Sequence, residues 1–452
     1  MTALPVRAPA HVPRTHRRGI VRGLAAGAAG TVLAACRLGM PEQQGQRPPT
    51  AVKFPDSLLV ITIHDFSKDA GFNAAVEEFS TRNKVRIELT PGSVQQVLTM
   101  IAGGTPPDVF RRDAAAFHQL VADGGLLDLT PYFQKSKDLK LSEYFPHLVR
   151  MQTYQGKLVA VPEDFQPAST LYYNKSIFEK AGEQFPVPEW PWDRLLEVAR
   201  RLTRGAGEIM DQYGYYFPAW TWDRFVYNHG GQVVDNVENP TKCLLDSPEA
   251  LAGLQFMVDL QHKWQVMPSP QVRRAANIPN EYLWFRQGRL ATVSQGTWAT
   301  DQWRQEGESL AWGLTLDPKG QDGKWHYPTG GSGWAIPREA KTPDASWEFI
   351  KWQFGPEGWR IWLSKRDPRV FWLPALQGLA AEEARRLEGI YPNASIVVRS
   401  AEYIYIRPMG ARWERAMSEV LGPLLNDLHE NKVAVRSAVT EAVPRINRIL
   451  TG

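Results

Sequence analysis

Short apolar strands alternate with helices along residues 57–129, and this alternation constrains the fold more than any other feature of the chain. Apolar runs and period-two alternation mark the strands, and apolar residues at helical spacing mark the helices. The predicted strands are residues 57–63, 84–89, 108–110 and 126–129, and the predicted helices are residues 69–81, 94–102 and 114–123. This order predicts an α/β fold with a largely parallel sheet and helices on both faces.

Polar and aromatic residues follow two of these strands. Asp65 and Phe66 come after the first strand, and Arg112 and Asp113 come after the third. A parallel sheet binds its ligands at the carboxyl ends of its strands. We therefore expect Asp65, Phe66 and Asp113 to lie beside a ligand.

The stretch from Gln155 to Gly182 has the pattern of a crossing between two domains. An apolar strand (residues 158–161) reaches a proline and two carboxylates, and a second strand (residues 169–173) then leads into a helix. The 452 residues of the chain exceed the size at which a single core keeps growing, which favours two domains. Pro162 favours extended geometry in the residue before it, which suits a linker.

The first 36 residues predict an export signal rather than part of the fold. They contain five arginines and no acidic residue, and the apolar run from Gly23 to Ala35 is too short to span a bilayer. Leu33-Ala34-Ala35-Cys36 is similar to a bacterial lipobox, in which Cys36 is lipidated, and Arg17-Arg18 is an imperfect match to a twin-arginine signal. Residues 37–56 are rich in Pro, Gln and Gly and predict a flexible tether. A disordered basic tail is the alternative.

The net charge changes once this segment is set aside. Removing its five arginines lowers the Lys and Arg count from 52 to 47, against 48 acidic residues, so the remaining chain has a charge near −1. This balance gives no electrostatic support for nucleic-acid binding. Cys243 then has no cysteine to pair with and is expected to be buried.

Ordered landmarks along residues 57–370 add a family resemblance. In chain order they are GTPPDVFRRD with GGLLDLTPYF, VPEDFQPASTLYYNKSIFEKAG, PEWPWDRLLEVARRLT, YGYYFPAW with FVYNHGGQVVD, FRQGRLATVSQGTWATDQW, WGLTLDP, and TGGSGWAIPREAKTPDASWEFIKWQFGPEGW. This sequence of motifs resembles the family 1 extracellular solute-binding proteins, which are the substrate-capturing lipoproteins of ABC-type sugar importers.

The resemblance implies a periplasmic-binding-protein-like architecture, with two α/β lobes, a hinge and an interlobe cleft that closes on its ligand. The first lobe would comprise residues 57–163 plus 313–338, and the second residues 164–312 plus 339–452. It also implies a monomer without cofactor or metal, anchored outside the cytoplasmic membrane, that delivers a sugar to ABC permease subunits.

A sugar needs flat aromatics against its C–H face and carboxylates or other polar partners for its hydroxyls. The candidate ligand residues are Asp65, Phe66, Asp113, Glu163, Asp164, Trp220, Trp298 and Trp334. Each of the tryptophans has ordinary packing as its alternative. Because adjacent residues of an extended chain point in opposite directions, we expect only one of Glu163 and Asp164 to face the cleft.

Two other interpretations stay open. One is a binder of a non-sugar solute such as a polyamine, a phosphorylated polyol or a peptide; Arg111-Arg112 would suit a phosphate. The other is a secreted glycoside-active enzyme, with a carboxylate pair drawn from Asp65, Asp113 and Glu163. His64, His118 and His229 show no metal-ligand spacing.

Overall fold

The structure is a computed structural model that describes residues 52–113, 120, 125–207, 209–277, 280–303, 310–328 and 330–452. Residues Val52–Gly452 form one compact unit. The predicted export signal with Cys36, most of the tether, and the predicted helix 114–123 except Leu120 lie outside the described residues.

The described elements alternate as the sequence predicts for the first three strands, although β3 extends to Asp113. The predicted strand 126–129 is wrong, since only Leu126 forms an isolated bridge, with Pro337. The strands are β1 Ser57–Thr62, β2 Arg86–Pro91, β3 Val109–Asp113, β4 Thr153–Tyr154, β5 Lys157–Leu158, β6 Val161–Pro162, β7 Asp164–Phe165, β8 Thr170–Asn174, β9 Thr292–Gln295, β10 Trp312–Leu316, β11 Tyr327–Pro328, β12 Ser332–Ala335, β13 Leu373–Pro374 and β14 Ile404–Tyr405. The α-helices are Ala70–Asn83, Val94–Ala102, Thr130–Lys135, Pro146–Met151, Lys175–Ala181, Trp192–Leu202, Asp223–Asn228, Pro248–His262, Pro270–Ala275, Glu281–Arg286, Ala299–Trp303, Pro343–Phe354, Pro356–Lys365, Gln377–Glu388, Ala394–Arg399, Ala411–Ala416, Gly422–His429 and Val435–Thr451. Among the described helices, none combines the length and apolar character needed to cross a membrane.

The first sheet has the strand order β2-β1-β3-β12-β6. Strand β1 pairs in parallel with β2 and β3, as the alternation predicts, and β12 pairs antiparallel with β3 and β6. The carboxyl ends of β1, β3 and β6 therefore meet the amino end of β12 at one edge of the sheet. That edge carries the residues that follow each strand.

The second sheet has the antiparallel order β10-β8-β9. Its central strand β8 is buried at every position, as expected for a strand covered on both faces. Asn174 ends β8 and caps the next helix, since its side chain accepts a hydrogen bond from the backbone N–H of Ile177. The predicted strand and helix after the crossing are confirmed.

The predicted division of the chain between the lobes needs two corrections. Strand β10, which the prediction assigns to the first lobe from Gly313 onward, pairs with β8 in the second sheet, where Leu314 and Leu316 are buried. The helices Pro343–Phe354 and Pro356–Lys365, assigned to the second lobe, pack instead on the helix Ala70–Asn83 beside the first sheet. Each lobe is accordingly defined by the sheet that its elements pack on.

Tryptophans on these two helices fill the core of the first lobe. Trp359 and Trp362 are fully buried and stack with ring centroids 4.3 Å apart. Trp362 also meets the ring of Phe72, and its backbone carbonyl lies so close to Gly71 that a Cβ there would overlap it. Close contact with the helix Ala70–Asn83 thus requires glycine at position 71, and Trp359 and Trp362 belong to the core.

Two buried arginines hold the linking segment, which we define as residues 163–169 between β6 and β8. At its start, Arg111 Nε donates to Glu163 Oε2 at 2.5 Å, and both side chains are almost fully buried. At its end, Arg224 Nη2 donates to the carbonyl of Ala168 at 2.7 Å, while Nη1 donates to Asp317 Oδ2 at 2.5 Å. An arginine of each lobe therefore binds one end of the linking segment through a buried, charge-assisted hydrogen bond.

We expect Arg111→Met to destabilise the protein strongly, because it leaves the Glu163 carboxylate buried without its cation. Removing one partner of a buried ion pair costs about 3–5 kcal/mol in the free energy of unfolding. Urea unfolding would measure this loss. The double variant Arg111→Met/Glu163→Gln should recover part of it, since glutamine is neutral and still accepts from Trp334 Nε1, which donates to Glu163 Oε2 at 2.6 Å in the wild type.

Arg82→Met serves as the matched control, because the Arg82 ion pairs with Glu78 and Glu357 are solvent-exposed and should contribute little to stability. An Arg111→Met variant as stable as the control would contradict a holding role for Arg111.

Candidate ligand-binding site

A cavity of about 710 Å³ opens at the edge of the first sheet where the strand ends meet. Its size lies within the range of small-molecule sites, about 300–1,000 Å³. It is lined by His64, Asp65, Phe66, Asp69, Arg111, Asp113, Met151, Asp164, Gln166, Trp220, Tyr282, Trp298, Asp301, Gln302, Gly330, Gly331, Ser332, Trp372, Ile406, Arg407, Pro408 and Met409. These residues come from both lobes and from the linking segment, so the cavity is an interlobe cleft.

Six of the predicted ligand residues line this cavity. They are Asp65, Phe66, Asp113, Asp164, Trp220 and Trp298. The convergence of the strand ends brings the first four together, and the second lobe supplies the two tryptophans.

The prediction that Glu163 and Trp334 contact the ligand is wrong. Both side chains are fully buried behind the cavity wall. Trp334 lies on β12 between two paired strands, and its ring packs against Phe72 and Phe354, with centroids 6.1 and 4.6 Å away. Its indole N–H is satisfied by Glu163, whose carboxylate also binds Arg111. The expectation that only one of Glu163 and Asp164 faces the cleft is met by Asp164.

Asp164 is a buried carboxylate at the cavity surface. Its Oδ1 accepts a hydrogen bond from the backbone N–H of Ser332 at 2.7 Å, and its Oδ2 lies 3.9 Å from Arg111 Nη2. Burial, followed by the negative charge of Glu163, raises the pKa of Asp164 to about 8, although Arg111 opposes the shift. A carboxyl group poised near neutral pH therefore faces the ligand space.

Two exposed carboxylates stand near this buried one. Asp113 ends β3 and accepts a hydrogen bond from Ser332 Oγ at 3.3 Å, while that hydroxyl accepts from Arg111 Nη2 at 2.9 Å. Asp65 caps the short 3-10 helix that follows β1, and hydrogen bonds from Ser67 lower its pKa. Both carboxylates are therefore ready acceptors for ligand hydroxyls.

Two buried donors of the cavity wall have no hydrogen-bond partner among the described residues. They are Nη1 of Arg111 and Nε2 of Gln166. An unsatisfied buried donor costs about 1–3 kcal/mol, and both of these donors belong to residues that line the cavity. The cavity thus presents acceptors and donors side by side.

The second lobe contributes aromatic rings to the cavity. The rings of Trp220 and Trp298 lie with centroids 6.0 Å apart at 33°, and Trp298 Nε1 donates to Tyr282 Oη at 3.3 Å. Trp220 is 42% exposed, which leaves its surface accessible, and the Arg407 guanidinium sits 5.1 Å from its ring centroid. Arg407 is itself held by both oxygens of Asp223.

Gly296 sets the position of the Trp298 ring. A Cβ at Gly296 would overlap the six-membered ring of Trp298. The Gln295-Gly296-Thr297 turn after β9 therefore folds the indole back over the backbone, a path that only glycine permits.

Sequence reasoning missed several lining residues, among them Gln166, Tyr282, Arg407 and Met409. Gln166 carried a usable signal, because residues two apart on an extended chain share a face with Asp164. Tyr282, Arg407 and Met409 reach the cavity from distant parts of the chain, where no strand-end pattern marks them. Within the described residues, no group of three or more His, Cys, Asp or Glu side chains is arranged to hold a metal ion.

Comparison with known proteins places this architecture in a family. Residues 74–384, more than half of the chain, match the family model described as bacterial extracellular solute-binding protein. A putative binding protein of Brucella abortus strain 2308 is 21% identical over 418 residues, which cover 86% of this chain and 92% of that protein. The arabinooligosaccharide-binding protein of Halalkalibacterium halodurans is 22% identical over 289 residues, covering 59% of this chain and 62% of that protein.

Solved structures show the same fold. An ABC substrate-binding protein from Listeria monocytogenes in complex with cycloalternan superposes with a TM-score of 0.75 at 21% identity, covering 87% of this chain and 98% of that one. The maltose-bound Thermotoga maritima protein superposes with a TM-score of 0.70 at 21% identity, covering 87% of this chain and all of that one (100%). With its two α/β lobes, hinge segment and interlobe cleft, this chain belongs to the bacterial extracellular solute-binding protein family.

Proposed function

We propose that this protein captures an oligosaccharide in its interlobe cavity and delivers it to the membrane permease of an ABC importer. The observation that carries the proposal is that carboxylates and flat aromatic rings line one cavity between the lobes. Asp65 and Asp113 line it from the first lobe, Asp164 from the linking segment, and Trp220 and Trp298 from the second lobe.

This combination of groups matches the apolar faces and the hydroxyl groups of a pyranose ring. The C–H face of a sugar packs on a flat aromatic ring, and its hydroxyls donate to carboxylates and accept from groups such as Arg111 Nη1 and Gln166 Nε2. Buried polar groups that are satisfied only by a hydroxylated ligand also reject ligands without matching hydroxyls. The sugar-bound complexes of the structural neighbours, which carry cycloalternan and maltose, support this choice of ligand class.

Binding and release would follow from lobe movement about the linking segment. A ligand that touches carboxylates of one lobe and tryptophans of the other makes its full set of contacts only in the closed state. Its differential affinity for that state is what shifts the equilibrium towards closure. The proposed role is capture without chemical change of the ligand, by a monomer that needs no cofactor.

We expect one class of oligosaccharide to raise the melting temperature of the protein in a concentration-dependent way, since a ligand that binds only the folded state stabilises it by mass action. Trp298→Ala should abolish this shift by removing the stacking face, and Trp298→Phe should retain part of it. Differential scanning fluorimetry against a panel of saccharides measures both effects. An equal fall in ligand-free stability for Trp298→Ala would assign Trp298 to the core instead.

Two further measurements separate the rival functions: fluorimetry with non-sugar solutes and an assay for oligosaccharide hydrolysis. A shift with spermidine or glycerol phosphate, and none with any saccharide, would replace the sugar proposal with a polyamine or phosphorylated solute. Release of reducing ends with turnover during incubation with oligosaccharides would show a glycoside-active enzyme.

We expect sugar affinity to rise with pH between about 6 and 9, a window set by the pKa of about 8 at Asp164. Below this pKa the Asp164 carboxyl is protonated; above it the carboxylate is a stronger acceptor for ligand hydroxyls, so binding favours the ionised form and releases a proton. Glu163, Arg111 and Asp113 are the charged groups that act on Asp164. Isothermal titration calorimetry in buffers of different ionisation enthalpy measures affinity and proton release.

Asp164→Asn should bind more weakly than wild type at pH 9 and lose the pH dependence over this window. An affinity that falls as the pH rises, or a slope that Asp164→Asn retains, would rule out this role for Asp164.

The proposal includes a lipid anchor at Cys36, which rests on the sequence pattern alone. Expression of the full chain in a bacterial host should yield a membrane-associated protein whose mature N-terminus is a lipid-modified Cys36. Cys36→Ser should move the protein to the soluble extracytoplasmic fraction, as followed by fractionation and mass spectrometry of the N-terminal peptide. Membrane association that survives Cys36→Ser would refute the anchor.

A further inference from the structure

A second cavity, of about 960 Å³, lies beside the first and also spans both lobes. Its first-lobe side is formed by the helix Pro146–Met151 and the β4–β5 hairpin, and its other side by residues 238–240 and 409–413. The residues that define its character are Arg150, Tyr154, Glu238, Asn239, Met409 and Trp413. None of them is part of the predicted site.

The two cavities share one lining residue, Met409. They also approach each other on the first-lobe side, where Met151, which lines the first cavity, directly follows Arg150, which lines the second. Methionine is unbranched and flexible, so the Met409 side chain repacks readily around a ligand that occupies both cavities.

The wall of the second cavity holds an ion pair between the lobes. Arg150 Nε lies 2.6 Å from Glu238 Oε1, and the two side chains are 53% and 55% exposed. Exposed pairs of this kind hold two surfaces together only weakly. Both groups therefore remain available as hydrogen-bond partners for a ligand that enters between the lobes.

We propose that the second cavity is an extension of the binding site for a linear chain of sugar units. The chain would begin against Trp298 in the first cavity, pass between Met151 and Met409, and continue along Arg150 and Asn239. This inference rests on the proposed function. It specifies an oligosaccharide that is too long for the first cavity alone.

The side chains that line the second cavity suit a glycan better than an apolar ligand. Arg150 and Glu238 offer a fork of donors and a pair of acceptors, which suit vicinal hydroxyls. Tyr154 adds a half-buried aromatic ring, and the Asn239 side chain adds an amide that both donates and accepts. The second cavity thus repeats the pairing of aromatic and polar groups seen in the first.

The test is a length series. Dissociation constants of the wild-type protein are measured by calorimetry for linear oligosaccharides of two to eight units, drawn from the class that stabilises the protein in fluorimetry. We expect the affinity to keep rising beyond the length at which the first cavity is filled. Arg150→Ala and Asn239→Ala should each weaken long-chain binding by about tenfold, the value of one or two hydrogen bonds, and leave disaccharide binding unchanged.

Arg194→Ala is the matched control, because Arg194 forms an ion pair with Glu197 at 2.7 Å and lines neither cavity. It should leave the whole length series unchanged. Affinity that levels off at two or three units, or Arg150→Ala and Asn239→Ala variants that match the control on long chains, would overturn the extension while leaving the sugar-binding proposal in place. Failure of every saccharide to bind would overturn both.

Discussion

The buried contact between Arg111 and Glu163 is the interaction on which the rest of the site depends. It joins Arg111 in the middle of β3 to the residue that follows β6, and Trp334 of β12 donates to the same carboxylate. Three strands that are distant in sequence are thereby fixed at one sheet edge. Because both side chains are almost fully buried, neither group can be lost alone without leaving an uncompensated charge. The contact between Arg111 and Glu163 therefore fixes the direction in which the chain leaves the first lobe.

That direction decides which side chains reach the ligand. With Glu163 turned into the core, alternation along the extended linking segment turns Asp164 and Gln166 to the cavity. The backbone N–H of Ser332 then binds Asp164, and the Ser332 hydroxyl relays between Arg111 and Asp113. Of two neighbouring residues, Glu163 thus forms the structural ion pair and Asp164 faces the cavity.

Site residues that follow from a local sequence pattern can be predicted from the sequence. Those that depend on pairing between distant segments of the chain cannot. Asp65 and Asp113 are predictable because strands of a parallel sheet end at the same edge. The prediction of Trp334 as a ligand residue is wrong, because β12 is inserted between β3 and β6 and buries the side chain. Arg407 escapes prediction, since its position beside Trp220 depends on Asp223, 184 residues earlier in the chain. No local pattern carries that information.

Small residues set how closely the two lobes approach at the cleft. A Cβ at Gly330 would overlap the carbonyl oxygen of Gln166 in the linking segment, and it would also come within 3.6 Å of the Trp298 ring. Gly296 admits no Cβ either, because the Cβ would overlap the Trp298 ring. The indole therefore lies close to backbone of the second lobe and of the glycine turn that precedes β12. Because a side chain at Gly330 or Gly296 would displace either the linking segment or the Trp298 ring, these two glycines allow that ring to lie close to the segment that carries Asp164 and Gln166.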